Sequence, residues 1–208
     1  MAETCRILLA DDHVLVAEGI QKLLEPEFQL VGIVADGRAL VAEAAKLQPD
    51  IVVVDISLPL LNGLDASAQL KKHQPDVKII VLTMHSEQNF VTQAFRVGAS
   101  GYVLKQSVGS ELVQAIREVF KGRTFVSPMV AQSLVDQAVN KSSTETSVHA
   151  DRAFAPTLSS RQREVLQLVA EGKATKEIAS ILNVSVKTVE FHKTRIMKEL
   201  RLRTAAEL

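Results

Sequence analysis

The chain has 208 residues, 47% hydrophobic and 23% charged, with apolar side chain enough to fill one large core or two small ones. Basic and acidic residues balance at 24 each but unevenly: residues 1–130 carry 12 basic and 15 acidic side chains, residues 157–208 carry 10 and 6, so the tail is the part expected to meet an anion. The single cysteine, Cys5, excludes an internal disulfide. No signal-peptide pattern in MAETCR and no apolar run of membrane-spanning length give the expectation of a cytoplasmic protein with no membrane partner.

Taken in chain order, RILLA (6–10), QLVGIVA (29–35), DIVVVD (50–55), KIIVLT (78–83) and GYVL (101–104) read as strands. Between them VLVAEGIQKLL, GRALVAEAAKL, GLDASAQLKKH, EQNFVTQAFRVG and GSELVQAIREVF carry helical periodicity, the fourth closed by Gly98. Five such repeats with continuously apolar strands predict an α/β domain, a doubly wound five-stranded parallel sheet over residues 1–126. A segment at 127–156 follows as a linker, helical in its first half (SPMVAQSLVDQAV) and rich in Ser, Thr and charge in its second. Residues 157–208 predict a small all-α helix-turn-helix domain. Ser159 and Gln162 form a capping box, Gly172 closes the first helix, a second runs from Thr175 to near Leu182, and Ser185 caps a third to about Leu200.

Every strand of the front domain but one ends in a chemically capable side chain. Strand one delivers Asp11 and Asp12, strand three Asp55, strand four Thr83, and strand five runs into Lys105. In a parallel sheet these converge on one edge, where doubly wound folds bind ligands. Three carboxylates need a counter-charge, and an all-oxygen ligand set selects Mg²⁺. A lysine and a hydroxyl beside them are what a phosphoryl group requires, with Asp55 as nucleophile. Taken singly, each residue has a plain structural role: Asp11 or Asp12 as a helix cap, Asp55 as a loop cap, Thr83 as a strand residue, Tyr102 as packing. Their joint placement at strand ends favours the chemical reading. His13 and His85 flank the cleft without a transition-metal spacing and read as solvent-facing or packing residues. Cys5 reads as a small residue leading into a strand.

LLADDH, VVVDISLPLLNGLD, VLTMHS and GYVLKQ, in this order, resemble the flavodoxin-like receiver domain of a two-component response regulator. The resemblance implies that Asp55 accepts phosphate from a sensor histidine kinase. It implies that Asp12 ligates Mg²⁺ directly, Asp11 through water, and the Ser57 carbonyl as a further ligand. It also implies that Lys105 pairs with the phosphoryl group, that Thr83 turns toward it, and that Tyr102 swings inward with Thr83. Gln106 departs from the proline or acidic residue common after this lysine.

In the third helix of the tail, Val189, Ile196 and Leu200 share an inward face. The opposite face presents Lys187, Phe191, Thr194 and Lys198 with Arg195 alongside, and Thr188 and Glu190 complete the set read as contacting double-stranded DNA. An outward aromatic among lysines distinguishes this face from an ordinary solvated one. His192 lies nearer the core side. Residues 158–200 resemble the NarL/LuxR-type DNA-binding domain, with two departures: Glu190 stands where that family commonly carries a basic residue, and the sequence stops at Leu208, before the final helix that the resemblance implies for dimer contact, so that either the domain is shortened or its C-terminus lies beyond this chain. The implied protein is a response regulator transcription factor, a homodimer when phosphorylated, catalysing only its own phosphorylation and dephosphorylation. One rival is a haloacid-dehalogenase-like phosphatase, which needs a second aspartate two residues after the nucleophile, where this chain has Ser57. The other is a protein-binding regulator that no longer reads DNA.

Overall fold

The computed structural model describes residues 4–141, 158–204 and 207–208, and the chain divides into two compact units, 1–143 and 144–208. In the first, β1 (Arg6–Ala10), α1 (Val14–Leu24), β2 (Gln29–Val34), α2 (Gly37–Leu47), β3 (Ile51–Asp55), α3 (Gly63–His73), β4 (Lys78–Thr83), α4 (Gln88–Arg96), β5 (Gly101–Leu104) and α5 (Val108–Phe120) alternate as expected. With a short sixth strand, β6 (Phe125–Val126), all strand pairs are parallel, in the order β2-β1-β3-β4-β5-β6. The order reverses at β1/β3, where the connections turn to opposite sides and leave a cleft beyond the strand ends.

Alternate residues of each strand enter two cores. Leu8, Val52, Val54, Ile79, Val81 and Tyr102 meet α2, α3 and α4 on one face. Ile7, Leu9, Val53, Ile80, Leu82 and Val103 meet α1 and α5 on the other. Both faces are dry, which is why the strands are apolar throughout rather than alternating. Cys5, just before the inner strand β1, is buried, its thiol pushed up to about 12 by desolvation and by the neighbouring Asp50 carboxylate; this fits its reading as a packing residue.

Two features correct the sequence reading. The sheet has six strands, not five, because β6 (Phe125–Val126) pairs with β5 in the register Gly101↔Phe125 and Tyr102↔Val126. Two residues are too few to show a period, so only the pairing partner makes them a strand. The helix assigned to the linker, α6 (Pro128–Lys141), packs on the sheet instead, with Val130 wholly buried and Leu134 against the same core. The remainder of the expected linker lies outside the described residues.

The second unit holds α7 (Ser160–Ala170), α8 (Thr175–Leu182) and α9 (Val186–Leu200). The Ser159–Gln162 capping box forms in both directions, and Ser185 accepts from the Thr188 N–H. Asn183, at φ 52°, makes the left-handed turn between α8 and α9. Val165, Leu168, Ile178, Leu182, Val189 and Ile196 form the core; Leu200, expected inside, is half-buried at the last position of α9, which Arg201 closes in a left-handed conformation. Arg161 reaches across from α7 to donate to the Leu182 carbonyl at 2.8 Å, satisfying the end of α8. Among the described residues no helix is long and apolar enough to cross a membrane.

Candidate functional site

The cleft is assembled by strand ends. β1 ends at Ala10, paired with Val34 on one side and Val54 on the other, so the next residue, Asp11, emerges at the switch point beside Asp55, the last residue of β3. Both are buried, whereas Asp12 stands at the rim. Asp11 fills two roles that the sequence reading set against each other. Its Oδ1 accepts from the His13 N–H at 2.9 Å, steadying the start of α1, and its Oδ2 pairs with Lys105 Nζ at 2.7 Å. Lys105 Nζ also donates to Asp55 Oδ2 at 2.8 Å. Burial by itself disfavours the ammonium, but hydrogen bonds to and charges on Asp11 and Asp55 outweigh it and raise the Lys105 pKa above that of an ordinary lysine.

Three carboxylates against one ammonium leave the cleft negative. Ligand atoms of Asp11, Asp12, His13 and Asp55 all lie within 4.8 Å of one another, a set able to hold a metal ion. His13, read from the sequence as a solvent-facing or packing residue at the cleft's flank, is exposed there, and its Nδ1 is 2.8 Å from Asp12 Oδ1 and 3.4 Å from Asp11 Oδ1. Its place in this set is signalled by adjacency to the aspartate pair rather than by any histidine spacing. Ser57 is exposed, and its N–H donates to Asp55 Oδ1 at 3.2 Å, so the loop after β3 turns back over the carboxylate. That loop is held by Gly63, whose N–H donates to the Ile56 carbonyl at 2.9 Å. A Cβ on Gly63 would lie 2.0 Å from the Asp55 carbonyl oxygen, so only glycine lets α3 approach this closely.

Thr83 ends β4, beside the Leu82 that pairs with Asp55. Its hydroxyl accepts from the His85 N–H at 3.0 Å. Tyr102 is completely buried behind it, and its phenol donates to the His85 carbonyl at 2.8 Å. Desolvation pushes the Tyr102 pKa up to about 12, against a hydrogen bond with Thr83 that lowers it and the Glu87 charge that raises it. The His85 ring stacks on Phe90 of α4 at 4.2 Å, which fits its reading as a packing residue. Gln106 lies in a 3-10 turn, Lys105–Ser107, that leads directly into α5.

On α9 the expected outward residues are outward. Lys187, Glu190, Phe191, Thr194, Arg195 and Lys198 are exposed and Thr188 is half-buried. Phe191 keeps 55% of its surface open to solvent, and the Arg195 guanidinium lies over its ring at 5.0 Å. His192 meets the same ring edge-on, and burial, with Arg161 and Arg195 nearby, lowers its pKa. The Glu190 carboxylate has no ion-pair partner among the described residues. Lys193 is turned to Thr175 at the start of α8, at 3.1 Å, and so bridges the two helices rather than joining the exposed face.

A doubly wound sheet with an acidic cleft at its switch point, on one chain with a helix-turn-helix bundle, is the layout of a regulator with a signal-receiving front and a DNA-binding tail. Residues 7–117 match the response regulator receiver domain, and residues 156–208 match the bacterial regulatory proteins of the luxR family. The chain belongs to the two-component response regulators of the NarL/LuxR type, which regulate transcription. It is 37% identical over 206 residues to the oxygen regulatory protein NreC of Staphylococcus carnosus, covering 98% of this chain and 94% of that one. A LuxR-family response regulator from Aurantimonas superposes with a TM-score of 0.63 at 39% identity, over 66% of this chain and 99% of that one. RcsB of Salmonella typhimurium gives 0.63 at 30% identity over 97% of this chain and 92% of that one. A structure of two RcsB dimers bound to two parallel DNAs gives 0.60 at 30% identity, over 97% and 94%.

Proposed function

We propose that Asp55 is the phosphoacceptor through which a sensor histidine kinase controls DNA binding by the tail. The observation that carries this reading is the Lys105 ammonium shared between Asp11 and Asp55, in a cleft still short of positive charge. An Asp55 carboxylate oxygen attacks the phosphorus of the kinase phosphohistidine. The P–O bond forms as the P–N bond breaks, and the electron pair leaves with the imidazole nitrogen. Lys105 then exchanges one carboxylate partner for a phosphoryl oxygen, and Thr83, on the adjacent strand, turns its hydroxyl to another. Tyr102 follows into the space Thr83 leaves.

The carboxylates of Asp11, Asp12 and Asp55, close enough to share one ion, fit Mg²⁺, a hard cation that keeps several waters and accepts carboxylate oxygens, and the receiver family adds the Ser57 carbonyl as a further ligand. When bound, this ion neutralises the charge that gathers on the carboxylate and phosphoryl oxygens. Residues 1–126 together with α6, which packs on the same core, would then be the receiver, the remainder of 127–156 the connection and 157–208 the DNA-binding domain. Lys187, Thr188, Glu190, Phe191, Thr194, Arg195 and Lys198 form its face toward the major groove. The protein acts in the cytoplasm, dimerises when phosphorylated, and has no activity beyond its own phosphorylation and dephosphorylation. The DNA-bound dimers of the relative RcsB support the partner assignment. Acetyl phosphate with Mg²⁺ should add one acid-labile phosphoryl mass that Asp55→Asn abolishes; undiminished labelling of that variant refutes the assignment.

A further inference from the structure

One wholly buried hydroxyl in the receiver has no part in this chemistry. Ser127 stands between β6 and α6, closed to solvent. Its Oγ donates to Glu111 Oε2 in the first turn of α5 and accepts from the Leu104 N–H at 3.0 Å. Its own N–H donates to the Tyr102 carbonyl at 2.9 Å, and its carbonyl accepts from the N–H groups of Val130 and Ala131, opening α6. Ser127 therefore bonds β5 at two points, on Tyr102 and on the residue immediately before Lys105, while it starts the helix through which the chain leaves the receiver.

We propose that Ser127, held by Glu111, is the positioning residue that carries a displacement of the β5 end into α6. The inference rests on phosphorylation of Asp55 as read above. When Lys105 changes partner, the force falls on the backbone of Leu104 and Lys105. A surface loop would absorb that shift, but this junction cannot do so freely. Releasing Leu104 would strand a buried N–H, and Ser127 can rotate away only by breaking its bond to Glu111. The displacement is passed to the first turn of α6, where Val130 is locked in the core. A second tie runs parallel to it outside the core, from Gln106 Nε2 to the Met129 sulfur at 3.2 Å.

The test uses the full chain and a duplex selected from a random-sequence pool with the acetyl-phosphate-treated wild type. Phosphoryl stoichiometry, thermal midpoint and the gain in DNA affinity on acetyl phosphate treatment are measured together, with hydrogen exchange over 128–137. Ser127→Ala and Glu111→Ala should be labelled like wild type but lose about five-fold or more of the affinity gain, the scale of one buried hydrogen bond within an allosteric coupling. In both, the α6 amides should cease to respond to labelling. Glu111→Gln keeps an acceptor for the Ser127 hydroxyl and should restore the gain. A full gain in folded Ser127→Ala or Glu111→Ala overturns the proposal, and so does loss of labelling in either while the midpoint is unchanged. If Ser127→Ala fails to fold, the Glu111→Ala and Glu111→Gln pair decides by the same criteria. A wild type that takes no phosphoryl group at Asp55 overturns the proposed function itself, a result distinct from labelled variants that still respond.

Discussion

Lys105→Met keeps the stem of the side chain and deletes the ammonium from between two buried carboxylates. The pairs are 2.7 and 2.8 Å long, and the side chains of Asp11, Asp55 and Lys105 are 0%, 4% and 12% exposed, so water replaces little of what is lost. Breaking a buried pair costs about 3–5 kcal/mol. The open rim at Asp12 places this site at the lower end, about 3 kcal/mol, or a urea midpoint lower by about 1–3 M for the receiver transition. The assay is urea unfolding with EDTA and then with Mg²⁺. A divalent cation restores the missing charge, so the variant should gain more from Mg²⁺ than wild type does. The pH dependence has a defined sign. The Lys105 pKa is raised on folding, so its stabilisation is complete below the unfolded value of 10.5 and is lost as pH rises through the higher folded value. The deficit of the variant should be flat from neutral pH to about 9 and close only above 10.5. Equal midpoints in EDTA, or equal gains from Mg²⁺, would refute the shared-cation account.

Gly63→Ala should cost about 1–3 kcal/mol and impair phosphorylation, because the added methyl forces apart α3 and the Asp55 carbonyl; Gly19→Ala, in open space on α1, is the control that should do neither. Tyr102 is the sole tyrosine, so an absorbance titration of phenolate reads it alone; its midpoint should be near 12, with stability falling between pH 10 and 12 as the unfolded phenol ionises first, and a midpoint near 10 in folded protein contradicts its burial. For Glu190, salt titrations on a selected and a random duplex separate two roles. A carboxylate that reads a cytosine amino group makes Glu190→Ala lose about 1–3 kcal/mol on the selected duplex only. One that merely repels phosphate makes Glu190→Lys tighter on both, with a salt slope steeper by about one. We expect the first; failure of all three forms to bind either duplex when phosphorylated contradicts both.

Much of the cleft was legible because its members sit at strand ends. Once the sheet is parallel, Asp11, Asp55, Thr83 and Lys105 must share an edge, and local apolar runs suffice to make it parallel. The helix boundaries were legible for a similar reason: Ser159, Gln162, Ser185 and Gly172 act on backbone groups within a turn of themselves, so their chemistry is written locally. His13 was placed at the flank of the cleft, but its contact with Asp12 was not legible, because that depends on how α1 begins and not on a spacing. Gly63 gave only a weak signal, since its need for space arises from Asp55, eight positions earlier.

By itself the sequence determined the α/β repeat, the order of strand ends that bears the acidic residues, and the basic outer face of α9, because periodicity and capping are short-range effects. The tertiary structure alone decided the rest. It made Phe125–Val126 a strand by pairing it with β5, and it drew α6 onto the core through Val130. It also placed one ammonium between Asp11 and Asp55 and joined Ser127 to Leu104 and Glu111. The Lys105–Asp55 and Ser127–Leu104 bonds span 50 and 23 positions, and the energies that fix them, burial and charge pairing, depend on distance in space rather than along the chain.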